Sequence, residues 1–307
     1  MTRRKRRCTS RARVTRRSQP VTAPACATLW GIGYLVRRRR RDSSSGRARA
    51  EPVSAAAAAP VAHDRGGRSV TVDTVSIRAK ICGIRTGADL RIAVDAGAEA
   101  VGFISGVTHF SEDALPPDRA AELSKRTPPF VTRVLVTHLE DASSIIELAD
   151  HIGVDAIQVH GLVTEETVRR VRAMAGGRKV LRAVHVTGPE AIDRALRAAA
   201  DCDGLVLDSR TDDRLGGTGR THDWSISAEI VRALDGSGCP VVLAGGLAPA
   251  DVAEAITAVG PHAVDVNSGV EAAGGEKDAA ACAAFVAMAH RATGRLSADP
   301  AETERPG

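Results

Sequence analysis

A (β/α)8 TIM barrel preceded by a basic, disordered arm is the fold this sequence predicts, and three observations predict the barrel. Eight short β-rich runs alternate with amphipathic helical patterns from about residue 79 onward. The runs are continuously rich in Val, Ile and Leu, as in strands of a parallel sheet buried on both faces. The competing doubly wound sheet would want fewer units and a GxGxxG after its first strand, and neither is present.

The expected strands are Lys80–Ile84, Ala100–Ile104, Arg133–Thr137 and Ala156–His160, then Val180–Val186, Gly204–Ser209, Pro240–Ala244 and Ala263–Asn267. Helical spacing separates them. Leu90, Ala93, Val94 and Gly97 fall at i, i+3, i+4 and i+7 after the first strand, and Ile145, Leu148, Ala149 and Ile152 repeat the pattern after the third. Thr86, Asp141 and Thr164 are the residue types that start helices, and Gly153 and Gly176 the type that ends them. The domain boundaries drawn from these patterns are a disordered arm at 1–76, a barrel at 77–293 and a disordered tail at 294–307.

The near-balanced charge of the chain hides a split. Residues 1–76 hold 18 Lys and Arg against 4 Asp and Glu, a net of +14, while the remainder carries −9. Runs such as Arg3–Arg7 and Arg37–Arg41, with a serine run and an alanine run after them, have no apolar periodicity. Such a segment buries too little surface to offset its ordering entropy. Electrostatic binding of nucleic acid, a targeting peptide and translation from upstream of the true start are the three readings of the arm. An acidic body beginning near Val75 favours the last, so nucleic acid is not the expected partner. The apolar patch Leu29–Val36 is too short to span a bilayer, so no membrane role is expected. Six cysteines (Cys8, Cys26, Cys82, Cys202, Cys239, Cys282) without a CxxC pair indicate neither a disulfide framework nor a zinc site, and suit a reducing, cytoplasmic compartment.

In this fold the chemistry sits at the carboxyl ends of the strands. Reading those ends in order gives Cys82, Ser105, Thr137, Gln158 with His160, His185, Asp208, Gly245-Gly246 and Asn267-Ser268-Gly269. Cys82 and Asp208 place a thiol and a carboxyl on one mouth, which suits acid–base isomerisation; the plainer reading of Cys82 is a small buried filler. Gly245 and Gly246, with Ser268 and Gly269, follow the seventh and eighth strands, where barrels of this kind cradle phosphate on backbone N–H groups. A helix beginning near Pro249 is expected to point its positive end at the same spot. The Gly-rich stretch 214–224, with Gly217 and Arg220, can fold down over a ligand.

Taken together, Lys80–Gly83 (KICG), Val101–Ile104 (VGFI), Ile157–Gly161 (IQVHG), Leu207–Ser209 (LDS), Gly216–Trp224 (GGTGRTHDW), Leu243–Leu247 (LAGGL) and Val264–Glu271 (VDVNSGVE) resemble the phosphoribosylanthranilate isomerase family of tryptophan biosynthesis, in the family's order, over residues 79–290. The resemblance implies an Amadori rearrangement of a phosphorylated sugar amine, N-(5-phosphoribosyl)anthranilate, without metal or organic cofactor. It implies Asp208 as general acid at the ring oxygen and Cys82 as general base at ribose C2. Gln158, His160, Gly217 and Arg220 are then expected to contact substrate, and Gly245, Gly246, Ser268 and Gly269 to hold its phosphate.

One departure bears on the substrate. Members of that family usually carry an arginine after the second strand, thought to hold the anthranilate carboxylate; here the nearest aligned residue is Asp113, and no arginine lies in that loop before Arg119. Arg220 and His222 stand where lysine and phenylalanine are common. His109 or Arg133 is the expected replacement for the carboxylate-binding group. The alternatives are a relative acting on another phosphorylated sugar amine and, outside enzymes, a nucleic-acid binder working through the arm.

Overall fold

The computed structural model describes residues 74–108, 110–208 and 223–295. The arm up to residue 73, the tail from 296, His109 and the stretch 209–222 with Gly217 and Arg220 lie outside the described residues.

Eight parallel strands close on themselves: β2 (Arg78–Ile81), β3 (Ala100–Ile104), β4 (Thr132–Thr137), β5 (Ala156–Val159), β6 (Lys179–His185), β7 (Gly204–Asp208), β8 (Val241–Leu243) and β9 (Ala263–Val266). Each is followed by a helix: α1 (Gly87–Asp95), α2 (Pro117–Arg126), α3 (Ala142–Ile152), α4 (Glu165–Met174), α5 (Glu190–Ala199), α6 (Trp224–Ala233), α7 (Val252–Val259) and α8 (Ala279–Arg291). The seam closes where β2 pairs with β9, Lys80 opposite Asp265 and Ile81 opposite Val266. A two-stranded antiparallel pair lies outside the barrel, β1 (Thr74–Ser76) with β10 (Thr293–Arg295).

The strands alternate between two apolar layers because successive side chains point to opposite faces. Ile81, Phe103, Leu135, Ile157 and Leu205, all fully buried, pack outward against the helices. Cys82, Ile104, Val134, Val136 and Ala156 form a smaller cluster on the inner face. The helix starts follow their side chains. Thr86 and Asp89 exchange bonds in a capping box, so both the Thr86 and Asp89 N–H groups are satisfied. Asp141 and Thr164 cap α3 and α4, and Gly153 ends α3 in the left-handed conformation at φ 74°. Among the described residues no helix is long and apolar enough to cross a membrane.

The helix after the seventh barrel strand departs from expectation. It starts at Val252, with Asp251 as the flanking residue, and the Asp251 carboxylate accepts from the Ala248 N–H at 2.8 Å. The Val252 N–H returns to the Ala248 carbonyl across the intervening turn.

Candidate active site

A cavity of about 150 Å³ opens at the carboxyl ends of the strands, and Cys82, Gln158, His160, Asp208, Gly245, Gly246, Ser268 and Gly269 all line it. Eight of the ten residues expected from the sequence are thus brought together; Gly217 and Arg220 lie outside the described residues.

The wall that carries Asp208 is built from β5 and β7. Asp208 is the last residue of β7 and is buried. His160, just past β5, brings its Nε2 to 3.2 Å from Asp208 Oδ2. Gln158 donates from Nε2 to His160 Nδ1 at 3.1 Å, which leaves the His160 Nε2–H to donate to Asp208. The loop carrying His160 is clamped from behind. The Arg182 guanidinium, projecting from β6, donates to the carbonyls of Val159, Gly161 and Val163 at 3.1, 2.6 and 3.2 Å. Burial holds the Arg182 pKa below its ordinary value.

The wall that carries Cys82 is built from β2, β3 and β9. Cys82 follows β2 directly and sits against Gly102; a methyl group at Gly102 would lie 2.7 Å from Cys82 Sγ and 3.2 Å from Lys80 Cε. Glycine at 102 therefore makes room for the sulfur and the lysine. Lys80 pairs with Asp265 at 2.7 Å, both nearly dry. Burial pushes the Cys82 thiol up, while the Lys80 ammonium beside it pulls the other way without cancelling the shift. Burial opposes the charge on Lys80 too, but Asp265 and Cys82 outweigh it and hold the ammonium above its ordinary range. The Asp265 carboxyl is raised by burial, with Asp208 adding to the same effect.

The floor is the pair of loops after β8 and β9. Gly245 and Gly246 both have positive φ, 84° and 70°, so side chains are disfavoured and the backbone is free to approach a ligand. A methyl group at Gly269 would run into the Leu247 carbonyl, so the two loops touch at a point only glycine allows. Ser268–Val270 forms a short 3-10 turn there. Lys277 braces that turn from beneath, donating to Asn267 Oδ1 and Glu271 Oε1 at 2.7 Å each.

One expectation about the rim needs correction. Arg133 is the second residue of β4, at the amino end of the strand, and its guanidinium is held by Asp155 through bonds of 2.8 and 2.6 Å. It faces away from the mouth and cannot replace a carboxylate-binding group there. His109 lies outside the described residues. Among the described residues, Arg85, in the loop between β2 and α1, brings a cation near the mouth. Its Nε is 3.6 Å from Asp113 Oδ1 and its Nη2 donates to the Gly275 carbonyl. Asp113 lines the cavity and also accepts from Asn267 Nδ2 at 2.8 Å. Arg85 escaped the sequence reading because it precedes Asp113 by one whole strand–helix unit. Lys80 and Asp265 left a signal that went unread, charged residues inside otherwise apolar buried strands.

A sequence model of the N-(5'-phosphoribosyl)anthranilate (PRA) isomerase family matches residues 79–288. An N-(5'-phosphoribosyl)anthranilate isomerase of Halorubrum lacusprofundi is 49% identical over 214 residues, covering 70% of this chain and 97% of that protein. One of Natronomonas pharaonis is 44% identical over 211 residues, covering 68% and 96%. The crystal structure of the Thermotoga maritima phosphoribosyl anthranilate isomerase superimposes with a TM-score of 0.61 at 35% identity, covering 69% of this chain and 98% of that one. A phosphoribosyl anthranilate isomerase in complex with reduced 1-(o-carboxyphenylamino)-1-deoxyribulose 5-phosphate gives 0.58 at 34%, with the same coverage. The barrel, the ordered motifs and these similarities place the chain in the N-(5'-phosphoribosyl)anthranilate isomerase family.

Proposed function

We propose that Asp208 and Cys82 carry the acid and base steps of the family's reaction, the Amadori rearrangement of N-(5-phosphoribosyl)anthranilate to 1-(2-carboxyphenylamino)-1-deoxyribulose 5-phosphate. The observation that carries this is their joint position on one cavity above the glycine floor. Asp208, protonated, gives its proton to the furanose ring oxygen as the anilino nitrogen pushes open the C1–O bond, leaving a Schiff base. The Asp208 oxygen that accepts from His160 stays bonded, so the other oxygen is the one that presents the proton. The Cys82 thiolate then takes the proton from C2, the electrons move toward nitrogen, and the resulting enolamine tautomerises to the ketone. Atoms balance without an outside oxidant or reductant, as an aldose–ketose isomerisation requires. The compartment that fits this small-molecule chemistry is the cytoplasm, and the whole reaction is assigned to the barrel, residues 74–295. A chain starting at Thr74 is expected to complement a tryptophan auxotroph lacking the isomerase as well as the full chain does. Failure of both would remove the activity, and failure of the short chain alone would give the arm a role.

The phosphate is assigned to the backbone of Gly245-Gly246 and Ser268-Gly269. Inorganic phosphate is expected to compete with substrate in steady-state kinetics. Gly269→Ala should abolish that competition, because the methyl group must part the two loops. Phosphate inhibition unchanged in the variant would move the site elsewhere on the barrel face.

The anthranilate carboxylate is assigned to Arg85. Asp113 alone would repel it, and an unpaired buried charge is costly; the Arg85 guanidinium offsets Asp113 and keeps donors for a second carboxylate. Hydrogen bonds to charged groups contribute about 1.5–3 kcal/mol, and the partial solvent access of Arg85 argues for the lower end. Arg85→Ala should therefore raise KM roughly tenfold with kcat nearly unchanged. An unaltered KM, together with weak wild-type turnover of this substrate, would favour another phosphorylated sugar amine.

A further inference from the structure

The histidine cluster on the wall that carries Asp208 exceeds what the reaction uses. His160 is flanked by two more imidazoles, His138 just past β4 and His185 at the end of β6; each ring centroid is 5.1 Å from that of His160, edge to face. All three are buried. His160, His185 and Asp208 each offer one ligand atom, and these atoms lie within 4.8 Å of one another. From this geometry we infer that His160, His185 and Asp208 form a binding site for a first-row divalent cation such as zinc, and that its occupancy inhibits the isomerase.

Two imidazoles and a carboxylate are a donor set that suits such cations, with a position left open to the cavity. Bonds of about 2.0–2.2 Å place tetrahedral ligands roughly 3.3 Å apart, so small side-chain rotations close the site. The His160 and Asp208 ligand atoms are already 3.2 Å apart, and His185 sits in register with Asp208 on the adjoining strand.

A second observation concerns the support around the ligands. Metal-bound histidines donate their other ring N–H to a neighbouring acceptor, which fixes the ring. Gln158 reaches His160 Nδ1, and its Oε1 is buried without a hydrogen-bond partner. With the Gln158 amide turned over, Oε1 accepts from Nδ1–H and frees His160 Nε2 to bind the cation. That turn gives the stranded oxygen a partner in the metal-bound state.

The inhibition follows from the ligands. A cation on Asp208 removes the carboxyl proton that opens the sugar ring, and a cation on His160 removes the donor that orients that carboxyl. The ligand assignment stands on geometry alone; only the inhibition rests on Asp208 as the acid.

The test uses the full chain, freed of metal by chelation, titrated with Co²⁺ by visible absorption and with Zn²⁺ in the turnover assay. The expected result is d–d bands of a low-coordinate nitrogen–oxygen site without the sulfur-to-cobalt charge transfer that ligation by Cys82 would add. Zn²⁺ should inhibit, and EDTA should restore the rate. His185→Asn should keep metal-free turnover and lose the cobalt bands. Its inhibition constant should weaken by at least ~10–100-fold, the loss typical of even an outer-shell partner. His185→Gln serves if the asparagine variant does not fold. Cobalt spectra of thiolate character, no cation binding to the wild type, or equal binding in the folded His185 variant would overturn the site. Binding without inhibition would keep the site and remove Asp208 from the chemistry.

Discussion

Asp208→Asn is expected to lower kcat by about 10²–10⁴-fold, the range general acid catalysis usually supplies, while KM stays within a few fold. The amide has nearly the shape of the carboxyl and still accepts the bond from His160 Nε2, which spans 3.2 Å in the wild type. It cannot give up a proton, so the furanose oxygen must leave as a poor leaving group. The phosphate floor and the Arg85 rim are untouched, so substrate binding should survive. Because β7 is buried along its length, a melting temperature close to wild type is the control that separates lost chemistry from lost fold. A folded variant that turns over at near-normal rate would remove Asp208 from the mechanism.

The barrel was legible because its signal is periodic and repeated. Each apolar run is short, but eight in alternation with helical spacing leave few closed topologies, and the strands match to within a few residues at their ends. The ends blur because Cys82, His160 and Asn267 leave the ladder to line the cavity. The cavity residues were legible for the same reason, since the position of a side chain on a barrel strand fixes whether it points to the mouth.

The rim was not legible. Arg85, Asp113 and Asn267 meet from three separate loops, and no local pattern encodes a contact across a barrel. Arg133 misled because its closeness to a strand boundary was read without the strand's direction; two residues into β4 it sits on the opposite face, held by Asp155. The Lys80–Asp265 pair was readable in principle. A lysine and an aspartate inside two apolar runs that become neighbours only when the barrel closes mark the seam between β2 and β9. The histidine cluster likewise exists only once β4, β5, β6 and β7 stand side by side.

Cys82→Ala should lower kcat by about 10²–10⁴-fold, as loss of a general base typically does, and it should also change the pH dependence. The proposed base is the thiolate, the reactive form of a cysteine, and burial pushes the Cys82 thiol above its ordinary value despite Lys80. The reactive, deprotonated fraction is therefore small near neutrality and grows with pH. In the wild type the Cys82 limb of the kcat/KM profile should extend past ~8.5, the ordinary thiol value, and rise by up to about tenfold per unit for as long as Asp208 keeps its proton. The substrate phosphate takes its second charge near pH ~6, below this window, so it does not produce the climb. Cys82→Ala should flatten the profile in the same window, and Cys82→Ser should be slow because a hydroxyl ionises far less readily than a thiol. Asp265 and Cys82 hold the Lys80 ammonium above its ordinary range despite burial, and its loss of charge would weaken rather than promote catalysis. If the alanine variant keeps the alkaline climb, the proton acceptor is another group on the cavity wall, and Cys82 returns to the role of a small buried side chain packed against Gly102.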